Sequence, residues 1–116
     1  MNHFLFLLFI LTQFTALSQI IDSFEDGDLT TNPTWSGTDD TYQINNSFQL
    51  QLNGNGASTS CLSTPHGLTT LDTKEWSVFV RQSFSPSGNN FGRFYLTASS
   101  SELITNPDGF YLQLGE

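Results

Sequence analysis

The sequence predicts an all-β chain folded as an antiparallel β-sandwich or jelly roll. Three observations carry this. Apolar residues recur at every second position through several short runs. Turn-forming residues separate those runs at close intervals. No stretch beyond the amino-terminal leader presents a helical face. Together they describe about seven short strands, each with one face turned to a core.

Taken in order, the first run is Tyr42 to Ile44, which Asn45-Asn46-Ser47 turns into the next. There Phe48, Leu50 and Leu52 alternate with Gln49 and Gln51. Asn53-Gly54-Asn55-Gly56 then predicts a hairpin joining residues 48–52 to residues 57–62, because both Asn and Gly tolerate positive φ. Residues 68–75 hold at most one short turn. Residues 76–84 read as the strongest strand. One face carries Trp76, Val78, Val80, Gln82 and Phe84, and the other Ser77, Phe79, Arg81 and Ser83. Ser85-Pro86-Ser87-Gly88-Asn89-Asn90 breaks that run. Phe94, Leu96 and Ala98 then alternate with Tyr95 and Thr97. Phe110, Leu112 and Leu114 alternate with Tyr111 and Gln113. Between these two runs, Asn106-Pro107-Asp108-Gly109 fits a type I turn. A strand that runs straight into a terminus leaves an open edge, and proteins cover such edges. The sandwich is therefore expected to be incomplete at its carboxyl end, with further domains of a longer protein following.

The leader sets the compartment. Residues 4–11 read FLFLLFIL, far short of the roughly 20 apolar residues of a membrane span. Ala16-Leu17-Ser18 supplies small residues at the spacing of a cleavage site, so residues 1–18 read as a secretory signal peptide. The run departs from the usual pattern in having no Lys or Arg at its start. The expected domain is residues 19–116, exported to the cell surface or beyond, with no membrane span. All eleven carboxylates and the three cations Lys74, Arg81 and Arg93 fall in it, for a net charge of −8. Such a surface repels phosphate backbones and argues against nucleic acid as a partner. Sixteen aromatic residues in the chain supply too much apolar surface for a disordered one. Cys61 is the only cysteine, so no internal disulfide forms, and it reads as a small core hydrophobe.

Several segments together resemble a known pattern: DSFEDGDLTTNPTWSG at 22–37, FQLQLN at 48–53, LDTKEWSVFVRQSFSPSGNNF at 71–91 and NPDGFYLQLGE at 106–116. They are similar to the amino-terminal region of secreted and surface proteins of Bacteroidetes, some of which carry lamin-tail domains further along. The resemblance implies a sandwich of the concanavalin A-like lectin/glucanase type. That architecture hosts lectins, glucanases and adhesion modules, so it does not fix a function.

Catalysis finds little support in the residues. Retaining glycoside hydrolysis needs two carboxylates about 5–5.5 Å apart across a cleft. The E-x-D-x-x-E strand pattern typical of glucanases of the resembled superfamily is absent. His66, between Pro65 and Gly67, reads as an exposed loop residue, not a base. Cys61 and His66 alone cannot assemble a structural zinc site. No nucleophile dyad is indicated. Gly54-x-Gly56 lacks the following helix of a phosphate loop.

Two binding chemistries remain. Asp22, Glu25, Asp26 and Asp28 surround Gly27 and offer the oxygen ligands a structural calcium takes. The reading preferred for these carboxylates is a solvated turn in which Asp26 or Asp28 caps backbone N–H groups. Phe24 and Trp35 are expected to bury against the sheet and bracket this loop. Carbohydrate is the other ligand, held on aromatic platforms with amide neighbours. Trp35, Tyr42, Tyr95 and Tyr111 are the candidates. Tyr95 and Tyr111 lead, because each sits out of phase with the apolar set of its own strand. Ordinary packing with hydroxyls at the rim would place them the same way. The expected protein is thus a non-catalytic binding or adhesion module with a polysaccharide or glycan partner. The alternatives are the amino-terminal part of a glycan hydrolase whose carboxylates lie downstream, and a structural spacer.

Overall fold

A computed structural model describes residues 19–115. The leader, its cleavage point after Ser18 and Glu116 lie outside the described residues. Six strands form: β1 (Ser36–Gly37), β2 (Tyr42–Ile44), β3 (Leu50–Leu52), β4 (Leu62–Ser63), β5 (Gly92–Ala98) and β6 (Gly109–Leu114). They pair antiparallel as β1–β4, β2–β3 and β5–β6, three separate two-stranded ladders. Two 3-10 turns, Asp39–Thr41 and Leu103–Thr105, are the only helical elements among the described residues. The chain is all-β with small antiparallel sheets.

The hairpin of β2 and β3 forms where the alternation placed it, with Tyr42 opposite Leu52 and Ile44 opposite Leu50. Asn45 builds its turn. Its carbonyl accepts from the Phe48 N–H, and its side-chain oxygen accepts from the Ser47 and Gln49 N–H groups. Phe48 follows in the left-handed region at φ 55°, the place a three-residue hairpin loop normally gives to glycine. That twist takes Phe48 out of the ladder and leaves it exposed, so it does not continue the face of Leu50.

The expected partner of β3 does not pair with it. Beyond Asn53 the chain swings away and returns as β4, which binds Ser36 and Gly37 instead. The reason lies in Thr38 and Gly37. The Thr38 hydroxyl accepts from the Cys61 N–H at 2.7 Å and donates to the Cys61 carbonyl at 3.1 Å, and the Thr38 N–H donates to the same carbonyl. Gly37, at φ 139°, lets the two backbones close up, since a Cβ there would stand 2.2 Å from the Cys61 oxygen. A further tie comes from the Tyr42 hydroxyl, which donates to the Ser60 carbonyl at 3.2 Å. Cys61, 8% exposed, is the one buried hydrophobe among the described residues.

Residues 76–84 overturn the strongest strand expectation, because they run without any ladder partner. Period two shows that one face of a segment wants cover. It does not supply the neighbouring edge that makes a strand. Val78, Phe79 and Val80 accordingly stay exposed, Phe79 at 81%. Gln82 hydrogen-bonds this segment to the sheet, through Nε2 to the Leu114 carbonyl at 3.4 Å. A tight turn at Ser87 and Asn90, each N–H donating to the other's carbonyl, leads into β5. Residues 68–75 keep the single turn foreseen, closed by Lys74 N–H to the Leu71 carbonyl.

The pairing of β5 with β6 is the longest ladder. A β-bulge interrupts it between Tyr95 and Thr97, so that Leu96 and Thr97 together face Phe110. Strict alternation would put Thr97 on the face of Tyr95. The bulge moves it to the apolar face. There Leu96, Thr97 and Phe110 line an open hollow of about 240 Å³, with Leu71 and Trp76 laid over it. The connection also differs from the expected type I turn. The chain makes its 3-10 turn at Leu103–Thr105, which ends on Asn106 in the left-handed region at φ 54°. Asn takes that conformation more readily than most residues.

Candidate functional site

The two faces of the β5–β6 hairpin differ in chemistry because side chains alternate across a strand. Phe94 and Leu112 lie on the apolar face. On the other, Arg93 stands opposite Gln113 and Tyr95 opposite Tyr111. The tyrosine rings touch at a centroid separation of 4.9 Å and an angle of 44°, within the range that favours aromatic pairs. The Tyr95 hydroxyl is shut off from solvent and takes no hydrogen bond among the described residues. Tyr111, 43% exposed, is the more open of the two.

Arg93 was not among the residues singled out in the sequence, yet it organises this face. Its guanidinium carbon lies 4.8 Å from the centre of the Tyr111 ring and 4.9 Å from that of Phe91. Nε donates to Gln113 Oε1 at 2.9 Å, and Nη1 donates to Asn106 Oδ1. Gln113 in turn donates to the Gly115 carbonyl. The result is a continuous strip of ring, guanidinium, ring and amide. Sequence spacing gives the Arg93–Tyr111 neighbourhood only once the register is known.

The other two candidate platforms lie elsewhere. Trp35 stacks on Phe24 at a centroid distance of 6.2 Å, and its indole N–H is bound to Asp22 Oδ2 at 2.6 Å. Both rings bracket the acidic loop as expected, but they pack on each other, half-buried, and not beneath a sheet. Tyr42 faces the Cys61 side of β2, with its hydroxyl committed to Ser60. Burial pushes the Tyr42 phenol above its ordinary value of 10, and negative charge on Cys61 adds to the rise. The neutral phenol is therefore the form the fold favours. Its share of stability is present below pH 10 and is lost as pH rises through the raised pKa. Alkaline titration followed by circular dichroism should show loss of structure above pH 10. Tyr42→Phe, which cannot ionise, should flatten that loss.

Each aspartate of the opening loop serves its own stretch of backbone. Asp22 Oδ1 accepts from the Phe24 N–H at 2.7 Å, and Asp26 accepts from the Asp28 N–H at 3.3 Å. Asp28 accepts from the N–H groups of Thr30 and Thr31 at 2.7 and 2.9 Å, and from their hydroxyls. These bonds, those to the backbone first, hold the Asp28 carboxyl below its ordinary value of 3.8. Glu25 stays exposed. Among the described residues no three His, Cys, Asp or Glu side chains are grouped to hold a metal ion. Trp35 N–H to the Leu29 carbonyl at 2.7 Å closes the loop. His66 is half-buried, not exposed, and its Nδ1 accepts from the Leu68 N–H at 3.3 Å.

The chain matches no protein-family model, no curated protein and no solved structure. Function therefore rests on the geometry of the Tyr95–Tyr111 face. Among the described residues no helix is long and apolar enough to cross a membrane.

Proposed function

We propose that this chain is a non-catalytic binding and adhesion module of a secreted or cell-surface protein, and that it holds carbohydrate on the Tyr95–Tyr111 face of β5–β6. One observation carries the reading: a paired aromatic surface flanked by Arg93, Gln113 and Asn106. The apolar edge of a sugar ring packs on an aromatic face, while amide and guanidinium groups take its hydroxyls. Alternation along the regular part of the ladder puts Arg93, Tyr95, Tyr111 and Gln113 on this one face. In this proposal the ladders belong to a sandwich of the concanavalin A-like type. The exposed Phe110 and Leu112, on the face opposite the tyrosines, are what a second layer would cover.

Retention on insoluble polysaccharides tests the reading. The full chain is expected to bind at least one of them. Tyr111→Ala is expected to weaken that binding about tenfold, the equivalent of about 1.4 kcal/mol. Retention on none would make the chain a spacer, and release of reducing sugar from a bound polysaccharide would make it part of a hydrolase. Either result sinks the proposal.

A further inference from the structure

Arg93 has more capacity than its contacts use. A guanidinium carries five N–H donors in a rigid fork. Here Nε is taken by Gln113 and one Nη1 hydrogen by Asn106. Three donors remain among the described contacts, one on Nη1 and two on Nη2, enough to bind two oxygens of one anion. Both hydrogen-bond partners are neutral amide oxygens, so these bonds orient the cation without neutralising it. Phe91 and Tyr111 flank the group and fix its plane. In a chain of three cations and eleven carboxylates, Arg93 is held by neutral groups. Its ordering is already built into the fold, so a ligand loses less freedom in using it.

Resting on the carbohydrate reading above, we propose that Arg93 makes this face selective for sugars that carry a negative charge, a carboxylate or a sulfate ester. The sugar ring lies along Tyr111 while its anionic group meets the free end of the guanidinium. The net charge of −8 opposes a long polyanion, but screening confines that repulsion to about 8 Å at physiological salt. A short oligosaccharide therefore meets only the carboxylates close to the site and not the charge of the whole chain.

Calorimetric titration of the full chain decides the matter. The probes are a short oligogalacturonate, its neutral methyl ester, and a sulfated galactan oligosaccharide of similar length. The expected result is preference for the oligogalacturonate, the sulfated sugar or both, by about tenfold over the neutral ester. Which of them binds names the source of the anion. Arg93→Gln should bind charged and neutral sugars alike, and Arg93→Lys, which keeps the charge but loses the fork, should recover only part of the preference. The tyrosine signal in circular dichroism checks that the hairpin stays paired in each variant. Equal binding of neutral and charged sugars by the native chain overturns the assignment and leaves the carbohydrate reading standing. A charge preference that survives in Arg93→Gln overturns it too. No binding of any sugar overturns both.

Discussion

Replacing Gly109 by alanine is expected to unzip β5 from β6. An added Cβ would lie 2.1 Å from the Thr97 carbonyl oxygen and 2.9 Å from the Ala98 Cα. Both are backbone atoms beside the bulge, so no flexible side chain can yield and a strand has to move. Forced repacking of this kind costs about 1–3 kcal/mol. A lone two-stranded hairpin is at best marginally stable in water, so a cost at the upper end is enough to open the ladder. Tyr95 and Tyr111 would then separate, and on the proposed carbohydrate reading polysaccharide retention would fall to background. Near-ultraviolet circular dichroism reports the ring pair directly, and hydrogen exchange at Ser99, whose N–H donates to the Asp108 carbonyl at 2.7 Å, reports the strand end. Gly54→Ala is the control. Its added Cβ would meet nothing nearer than the Ser58 hydroxyl at 3.6 Å. Survival of the tyrosine signal in Gly109→Ala would mean that the bulge can slide and that its register does not place the site.

The same hairpin shows how far the sequence could be read. Alternation in Phe94, Leu96 and in Phe110, Leu112, Leu114 foretold both strands, and the phase of Tyr95 and Tyr111 placed them together on the opposite face. That inference needs only local information, because a strand's two faces are set by its own backbone. Thr97 could not be placed the same way. Its side depends on a bulge, and the bulge depends on how closely Gly109 approaches a carbonyl on another strand. Arg93 was missed for a related reason, since its contact with Tyr111 is diagonal across the ladder and exists only in one register. Residues 76–84 mark the opposite failure. Their alternation is the clearest in the chain, yet a pattern of burial says nothing about which edge is available to pair with. In the opening loop the capping of local N–H groups by Asp26 and Asp28 was one of the two uses the sequence offered, and it is the one that forms. Whether Asp28 caps Thr30 and Thr31 or turns toward an ion is decided by a few backbone angles that composition does not fix.

The second large effect belongs to Thr38. β1 and β4 share only two residue pairs, Ser36 with Ser63 and Gly37 with Leu62. A ladder that short does not hold itself. What fastens it is the Thr38 hydroxyl, acceptor to the Cys61 N–H and donor to the Cys61 carbonyl. Thr38→Val keeps the shape and removes both bonds. The Cys61 N–H would then be part-buried without a partner, at a cost of about 1–3 kcal/mol. Cys61 gives this change its own reporter, because a thiol 8% exposed reacts slowly with a disulfide reagent only while the region stays closed. The native chain and Thr38→Ser, which keeps the hydroxyl, are expected to protect it, and Thr38→Val to react many times faster. Equal protection in all three would show that the Tyr42 hydroxyl on Ser60 holds β4 without Thr38, and Tyr42→Phe combined with Thr38→Val would then be the variant that opens it.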